Sequence, residues 1–523
     1  MQVDINIYDW KVKLTMGIVI YPPTIDWEYM RQRPQHVMSM FASHGFPVIY
    51  FNKQNKEGPV LQKAAPNLYV VNHFGFFMQV LYPLLNGEKK LYWSSWSKML
   101  GAASRFQPDT IVYDCVDDFP DWEADEMNWA HLADMIVCTA DHLQQKMQQH
   151  VPGKPITMIR NGCEWSHFAA AVSMETKSLP PLPTTEGFKI GYIGAWAPWV
   201  DEELVRKVAT EFPESQVIIV GPKLREDGDQ LGPNVFNLGY RDYHGLPQIL
   251  SYLDVCIIPF RINRITESTN PIKVYEYLAA GKRVVSTNLP EVRKLQAYVS
   301  VADNHDEFIE GVRSALRSSK EDRFSLSQFA RAFSWEQRFA QIYAMLKQHS
   351  PGIISPSPDP AKLSGVLDAM AKGYQSRFIP LVHGTVNSYY ETRALTEDYP
   401  MVGKLPRGEY QCFMQMESGV TLPTYERAYL EFECSAQHAA TMDIIVQVGI
   451  SGITWDRRQL TFRNKPDSTP FSVCKHSDYI SGTISVDVTA ILQQGSSVTF
   501  HLSTLQPQLI GIQKPRLTII SPQ

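Results

Sequence analysis

Residues 257–291 read IIPFRINRITESTNPIKVYEYLAAGKRVVSTNLPE. An apolar strand runs into a polar loop, a helix opens near Pro271, Gly281 closes it, and a second short strand follows. Lys273 and Glu276 lie in the first turns of that helix. Unpaired N–H groups and the positive helix end can hold phosphate there. Arg261, Arg264 and Lys273 can neutralise a diphosphate. Ser268 lies in the loop, and Thr269 and Asn270 sit where they cap the helix or touch phosphate oxygens. Glu276 can accept hydrogen bonds from a ribose. Its neighbours Val274, Tyr275, Leu278 and Ala279 bury the helix's other side, which argues against an ordinary solvent-facing glutamate. These parts suit a sugar nucleotide.

Upstream, an α/β unit begins at Phe188 with the strand FKIGYIG. Strands at 216–220, 235–238, 254–259, 283–287 and 298–302 alternate with helices near 201–211, 243–252, 271–280 and 304–318. Gly191 and Gly194 allow close backbone approach, and Asp201 is placed to cap the next helix. GxGxxG is missing and the loop carries Trp196 and Trp199, so this is no dinucleotide fingerprint. Gly194 and Trp196 are read as donor-binding, with a plain strand–helix turn as the alternative. Lys223, after Gly221 and Pro222, faces either phosphate or solvent.

A similar rhythm precedes it. Strands at 17–21, 47–51, 68–72, 90–94, 110–115, 134–138 and 156–159 alternate with helices such as 34–44, 97–105, 122–132 and 139–149. Both stretches predict mostly parallel sheets with helices on both faces. Two such units leave a cleft at their carboxyl strand ends. The Pro-rich SLPPLPTTEG at 178–187 separates them, and SPGIISPSPDP at 350–360 marks a second linker. From about 376, alternating runs such as YLEFEC at 429–434 and VTFHL at 498–502 read as antiparallel strands. The expected fold class is α/β with two facing Rossmann-like domains, 1–180 for acceptor and 187–348 for donor. A linker at 349–375 and an all-β sandwich at 376–523 follow.

Composition agrees with several domains. The chain has 523 residues, 44% hydrophobic, with a net charge of −5 and no basic tail, so nucleic acid is not expected as a partner. Seven scattered cysteines form no CxxC pair, and no His, Asp and Glu recur at close ligand spacing, so no metal is expected. Without a signal pattern or a long apolar run, the expected location is cytoplasmic. Peripheral association with the membrane or a spore coat, and a homodimer, stay open.

In the first unit, Asp117 and Asp118 follow the strand TIVYDCV at 110–116 and point to the cleft mouth. They can orient an acceptor hydroxyl, take its proton, or stabilise positive charge on the donor sugar; they equally suit a turn cap. Arg33 is the third catalytic candidate, and Arg33–Pro34 also reads as a plain helix start.

The chain resembles bacterial glycosyltransferases of the B-type fold, in the retaining class that includes glycogen-synthase-like enzymes. Within that class it is similar to teichuronic-acid-type biosynthesis glycosyltransferases. The resemblance rests on four elements. They are Trp27 with Arg31, Gln32, Arg33, Pro34, Gln35 and His36; Tyr113, Asp114, Asp117 and Asp118; Arg160, Asn161, Gly162 and Phe168; and residues 259–287. Together they span roughly residues 17–345.

The resemblance implies transfer of a hexose-type sugar from a nucleotide-diphosphate sugar, with uridine as the family's base, to a glycan or polymer precursor. It implies no cofactor and no metal. Its ribose-binding acid maps to Glu276. Its first acidic residue, eight positions earlier, is replaced by Ser268, with Glu267 one step off. Its Arg/Lys phosphate clamp is replaced by Ala197, Pro198 and Trp199, a gap that Arg261, Arg264 and Lys273 can fill. In such enzymes the leaving diphosphate assists acceptor deprotonation. The two departures support an alternative: a non-catalytic sugar-binding protein of envelope or spore-coat assembly. The segments at 451–466, 485–492 and 514–519 resemble a β-sandwich module of bacterial surface proteins. There Asp487 and Thr489 tie a loop, and Tyr389, Tyr390, Trp455 and Tyr479 stack on sugars or fill the core.

Overall fold

The computed structural model describes residues 16–522 except 177, 183–185, 226–230, 318–321, 356–359, 388–399, 406–407, 417–421, 423, 437–444, 452–459, 461–464, 466, 476–482, 494–497 and 505–508. Tyr389, Tyr390, Trp455 and Tyr479 lie outside the described residues. The chain forms two compact units. One holds the described residues of Met1–Ile20, Glu28–Phe46 and Lys89–Pro356; the other holds those of Tyr21–Trp27, Pro47–Glu88 and Ser357–Gln523.

The first unit carries two parallel sheets. In one, β1 (Ile18–Tyr21), β2 (Lys90–Ser94), β3 (Thr110–Cys115), β4 (Met135–Cys138) and β5 (Ile156–Met158) pair in that order. In the other, β6 (Lys189–Ile193), β7 (Gln216–Val220), β8 (Val235–Asn237), β9 (Val255–Ile258), β10 (Arg283–Thr287) and β11 (Val299–Ala302) are ordered β8-β7-β6-β9-β10-β11. Every expected strand of this sheet is present. The central strands are buried on both faces, which explains their unbroken apolar runs. The strand order reverses between β6 and β9, and such a switch point opens a crevice beyond the carboxyl strand ends.

Seven helices matter to the site: α1 (Arg33–Ser43), α2 (Glu123–Trp129), α3 (Asp141–His150), α4 (Glu202–Glu211), α5 (Arg264–Glu267), α6 (Ile272–Ala279) and α7 (Trp335–His349). Helix α1 starts with Pro34 at its first turn and a Gln32–Gln35 capping box. Asp201 caps α4 by accepting from the Leu204 N–H at 3.2 Å. Helix α7 packs against the first sheet's side of the unit, with Phe339 edge-on to Phe41 at 5.0 Å between centroids.

The second unit is built around an antiparallel sheet of ten strands, among the described residues. Its longest strands, Tyr374–Asn387 and Leu509–Pro522, pair with each other. The short strand Gly58–Pro59 pairs with Tyr374–Asn387 as well. Glu431, fully buried, draws the distant segments together. Its carboxylate accepts from Asn55 Nδ2 at 2.7 Å, Thr518 Oγ1 at 2.7 Å, Arg516 Nε at 3.0 Å and Ser485 Oγ at 3.2 Å, and lies 3.1 Å from His73 Nε2. Burial alone would raise this carboxyl; His73, Arg516 and Thr518 hold it down at about 2. Thr489 Oγ1 takes part in the Asp487 turn, donating to Asp487 Oδ1 at 2.5 Å.

Candidate functional site

The loops after β6 and β9 meet at the switch point. Gly194 ends β6 with φ +151°, and a Cβ there would lie 2.8 Å from Lys273 Cε. Its N–H donates to the Val220 carbonyl at 2.8 Å. Tyr277 of α6 holds the same strand end by accepting from Ile193 N–H at 2.7 Å. Lys273 Nζ lies over the rings of Phe260 at 4.5 Å and Tyr192 at 5.1 Å. Burial lowers Lys273 to about 8, against the pull of Glu276. Glu276, one turn on, is raised by burial to about 7, with Lys273 opposing and Glu164 adding. Both side chains are half-buried, and among the described residues neither makes a hydrogen bond or an ion pair. Among the described residues, a desolvated cation and a carboxylate thus stand one helical turn apart without hydrogen-bond or ion-pair partners, a pair that suits polar ligand groups.

The neighbouring candidates are distributed differently. Trp196 is buried in the core of this half, and its N–H donates to Pro222 O at 2.9 Å. Lys223 and Arg261 are exposed. Ser268 is fully buried and donates to the carbonyls of Arg264 at 2.8 Å and Ile265 at 3.0 Å, closing α5. Thr269 Oγ1 donates to Ile265 O at 2.7 Å and reaches Asp117 Oδ1 at 3.3 Å. Asn270 accepts from Asn161 N–H at 2.9 Å, and its carbonyl accepts from Asn161 Nδ2 at 2.6 Å. Arg264 grips Asp118 with two bonds, Nε to Oδ2 at 2.7 Å and Nη2 to Oδ1 at 3.0 Å, and Glu123 with Nη1 at 2.9 Å.

Asp117 and Asp118 therefore have unlike surroundings. Burial would raise Asp118, but Arg264 and Lys146, the latter 2.6 Å away, hold it below the usual range. Among the described residues Asp117 has the one bond from Thr269, and burial pushes it up to about 7. Such a carboxyl can exchange a proton near neutral pH.

Arg33 is 3% exposed and forms a forked pair with fully buried Asp114 at 2.8 Å, supported by Trp93 Nε1 at 3.1 Å. It also donates to Asn161 Oδ1 at 3.1 Å. Arg33, Asn161 and Asn270 thus link the start of α1 to the start of α6. Asp114 and Asn161 stand in the YDxxDD and RNG motifs, and the sequence assigns neither a role. Their signal was the dense polar content of YDxxDD and RNG beside apolar strands. His36 is buried, stacked on Trp335 at 5.1 Å, and its pKa is well lowered by burial, so it packs as a neutral ring.

Residues 188–318 match the family model "Glycosyl transferases group 1". TuaH of Bacillus subtilis (strain 168), named as a candidate glycosyltransferase of teichuronic acid biosynthesis, is 26% identical over 317 residues, 53% of this chain and 79% of that protein. Sucrose-phosphate synthase from Thermosynechococcus elongatus superposes with a TM-score of 0.51 at 13% identity, covering 63% of this chain and 98% of that one. The chain has the B-type glycosyltransferase fold. An α,α-trehalose-phosphate synthase (UDP-forming) from Burkholderia xenovorans, in complex with glucose-6-phosphate, gives 0.50 at 9% identity over 63% of this chain and 100% of its own. The B-type fold places Lys273 and Glu276 in the half that the family model covers.

Among the described residues, no group of three or more His, Cys, Asp or Glu side chains is placed to hold a metal ion. No helix among them is long and apolar enough to cross a membrane.

Proposed function

We propose that the protein transfers a hexose-type sugar from a nucleotide-diphosphate sugar, with uracil as the base, to a glycan or surface-polymer precursor, with retention at the anomeric carbon. The observation that carries this is the Lys273–Glu276 pair at the switch point, which has no hydrogen-bond or ion-pair partner among the described residues, with Lys273 packed against the Gly194 backbone. In this reading Glu276 accepts from the ribose hydroxyls. Lys273, the Gly194 backbone and the start of α6 face the diphosphate and take the place of the missing clamp. Asp117 orients the acceptor hydroxyl, and the departing diphosphate receives its proton. Asp118 and Arg264 hold the cleft wall.

Calorimetric titration of the purified chain with a panel of nucleotides and nucleotide sugars tests this reading. Saturable binding of one nucleoside diphosphate, lost in Glu276→Ala, is the expected result. Absence of binding across the panel would overturn it. A second reading draws on Ser268, whose hydroxyl is committed to helix carbonyls where the related class carries an acid. It is a sugar-binding protein of envelope or spore-coat assembly that binds the nucleotide sugar without turnover. Donor binding with no donor hydrolysis and no transfer would favour it.

A further inference from the structure

Two residues after Asp117, Phe119 belongs to a row of aromatic rings to which the donor-site reading gives no part. Trp96 follows β2, Phe119 and Trp122 follow β3, and Trp199 follows β6, so all four stand beyond carboxyl strand ends. Trp199 and Phe119 are 6.3 Å apart between centroids, Phe119 and Trp122 4.8 Å, and Trp122 and Trp96 6.3 Å. The rings are tilted to their neighbours by 42–59°, so they form a stepped surface rather than a mutual stack. All four are half-buried. Ser97 Oγ fixes the far end by donating to the Trp122 carbonyl at 3.2 Å.

The near end of the row joins the donor site. The Trp199 carbonyl accepts from the Arg261 N–H at 2.9 Å, and Phe260, the next residue back, is the ring beneath Lys273 Nζ. From there the rings lead away along the strand ends of the first sheet, with Phe119 two residues after Asp117 in the loop that follows β3. Partly exposed aromatic faces in series are what sugar rings stack on through their C–H faces.

Charge narrows the ligand. The segment DDFPDWEADE at 117–126 carries six carboxylates and no base. Of the nearby cations, Arg264 and Lys146 are bound to Asp118, Glu123 and Glu126, and Lys98 Nζ lies 5.7 Å over the Trp96 ring; against them Asp121 is exposed and Asp125 half-exposed. A polyanionic chain would be repelled here.

The geometry points to an extended acceptor subsite along Trp199, Phe119, Trp122 and Trp96 that binds several successive units of a neutral glycan chain. This rests on the transferase reading for its role, but its binding is measurable apart from it. The subsite makes acceptor length a determinant of affinity, with the chain's reacting end at Asp117 and its older units on Trp122 and Trp96.

The test compares the full chain with Trp122→Ala and Trp122→Phe. Tryptophan fluorescence, without donor, follows binding of neutral di- and hexasaccharides of glucose and N-acetylglucosamine and of a uronic-acid hexasaccharide. Calorimetry with UDP runs in parallel. A neutral hexasaccharide is expected to bind about tenfold more tightly than its disaccharide. That gain is lost in Trp122→Ala and regained in Trp122→Phe, while UDP affinity stays constant. The uronic-acid hexasaccharide binds more weakly than the neutral ones. Equal hexasaccharide affinity in wild type and Trp122→Ala, preference for the uronic acid, or no oligosaccharide binding by the wild type overturns the subsite. Oligosaccharide binding without UDP binding sinks the transferase reading and leaves the subsite standing; UDP binding without oligosaccharide binding does the reverse.

Discussion

Gly194 and Lys273 are fitted to each other: a Cβ on Gly194 would stand 3.0 Å from the lysine Nζ. The strand-end backbone closes over the ammonium because residue 194 has no side chain. Gly194→Ala must displace Lys273 or distort a backbone held at φ +151°. UDP affinity is expected to fall about tenfold, or about 1.4 kcal/mol. Calorimetry checks this, and unchanged affinity would separate Lys273 from the diphosphate.

Donor binding should have two pH limbs. Glu276, raised to about 7, must be ionised to accept from two hydroxyls, so affinity rises through that pH. Lys273, lowered to about 8, must be protonated, so affinity falls above that pH. Glu276→Gln should flatten the acid limb and Lys273→Met the alkaline one, in titrations at several pH values. Stability follows the same shifts. The folded chain holds the Glu276 proton more tightly than the unfolded chain, so this group lowers stability as pH rises from 4.5 to about 7. The folded chain holds the Lys273 proton less tightly, so this group raises stability from about 8 to 10.5.

Arg33 should behave as a positioning and folding residue. Arg33→Met leaves the Asp114 carboxylate buried without its cation, and stability should drop by about 3–5 kcal/mol. Denaturant melts measure the loss. UDP affinity of the folded fraction should change little; a large loss of affinity with normal stability would return Arg33 to the chemistry.

The Arg264–Asp118 pair predicts a coupled effect. Arg264 is 43% exposed and Asp118 2%, so the pair is neither freely solvated nor deeply buried. A thermal-melt cycle of Arg264→Met, Asp118→Asn and the double variant should give a coupling of about 0.5–3 kcal/mol. Additive effects would show that the two side chains do not stabilise each other.

In the second unit, acid should act through Glu431. Its carboxyl is held at about 2 against an ordinary 4.5, so its contribution is present above pH 4.5 and is lost as pH falls toward 2. Glu431→Gln should lower stability at neutral pH and flatten this acid loss in pH-dependent melts. An unaltered acid profile would place the sensitivity elsewhere.

The fold was legible where burial dictates composition. The strands of the donor half are apolar because they are covered on both faces, and their limits matched within a residue or two. The helix Trp165–Ser173 is not legible in the sequence, because its small residues give a weak stripe after the RNG turn. Helix α5 looks like loop in the sequence, since a single turn has too few residues for periodicity. The proximity of Lys273 and Glu276 is legible because a single helical turn separates them. Arg264 shows the opposite case. Its partner Asp118 is 146 residues away, and local spacing carries no record of that pairing. Asp117 and Asp118 read alike as neighbours, and only their partners set them apart.

The composition of the second unit bears on synthesis. Asn55 and His73 meet Glu431, to which Thr518 and Arg516 also donate, only after the ribosome has made the intervening chain. Until then Asn55 and His73 lack the carboxylate they contact, and the strand edge of Gly58–Pro59 is unpaired. A nascent chain must therefore carry this segment unfinished while the donor half is translated, a window in which a chaperone has something to hold. Truncation before Tyr374 would make that window permanent.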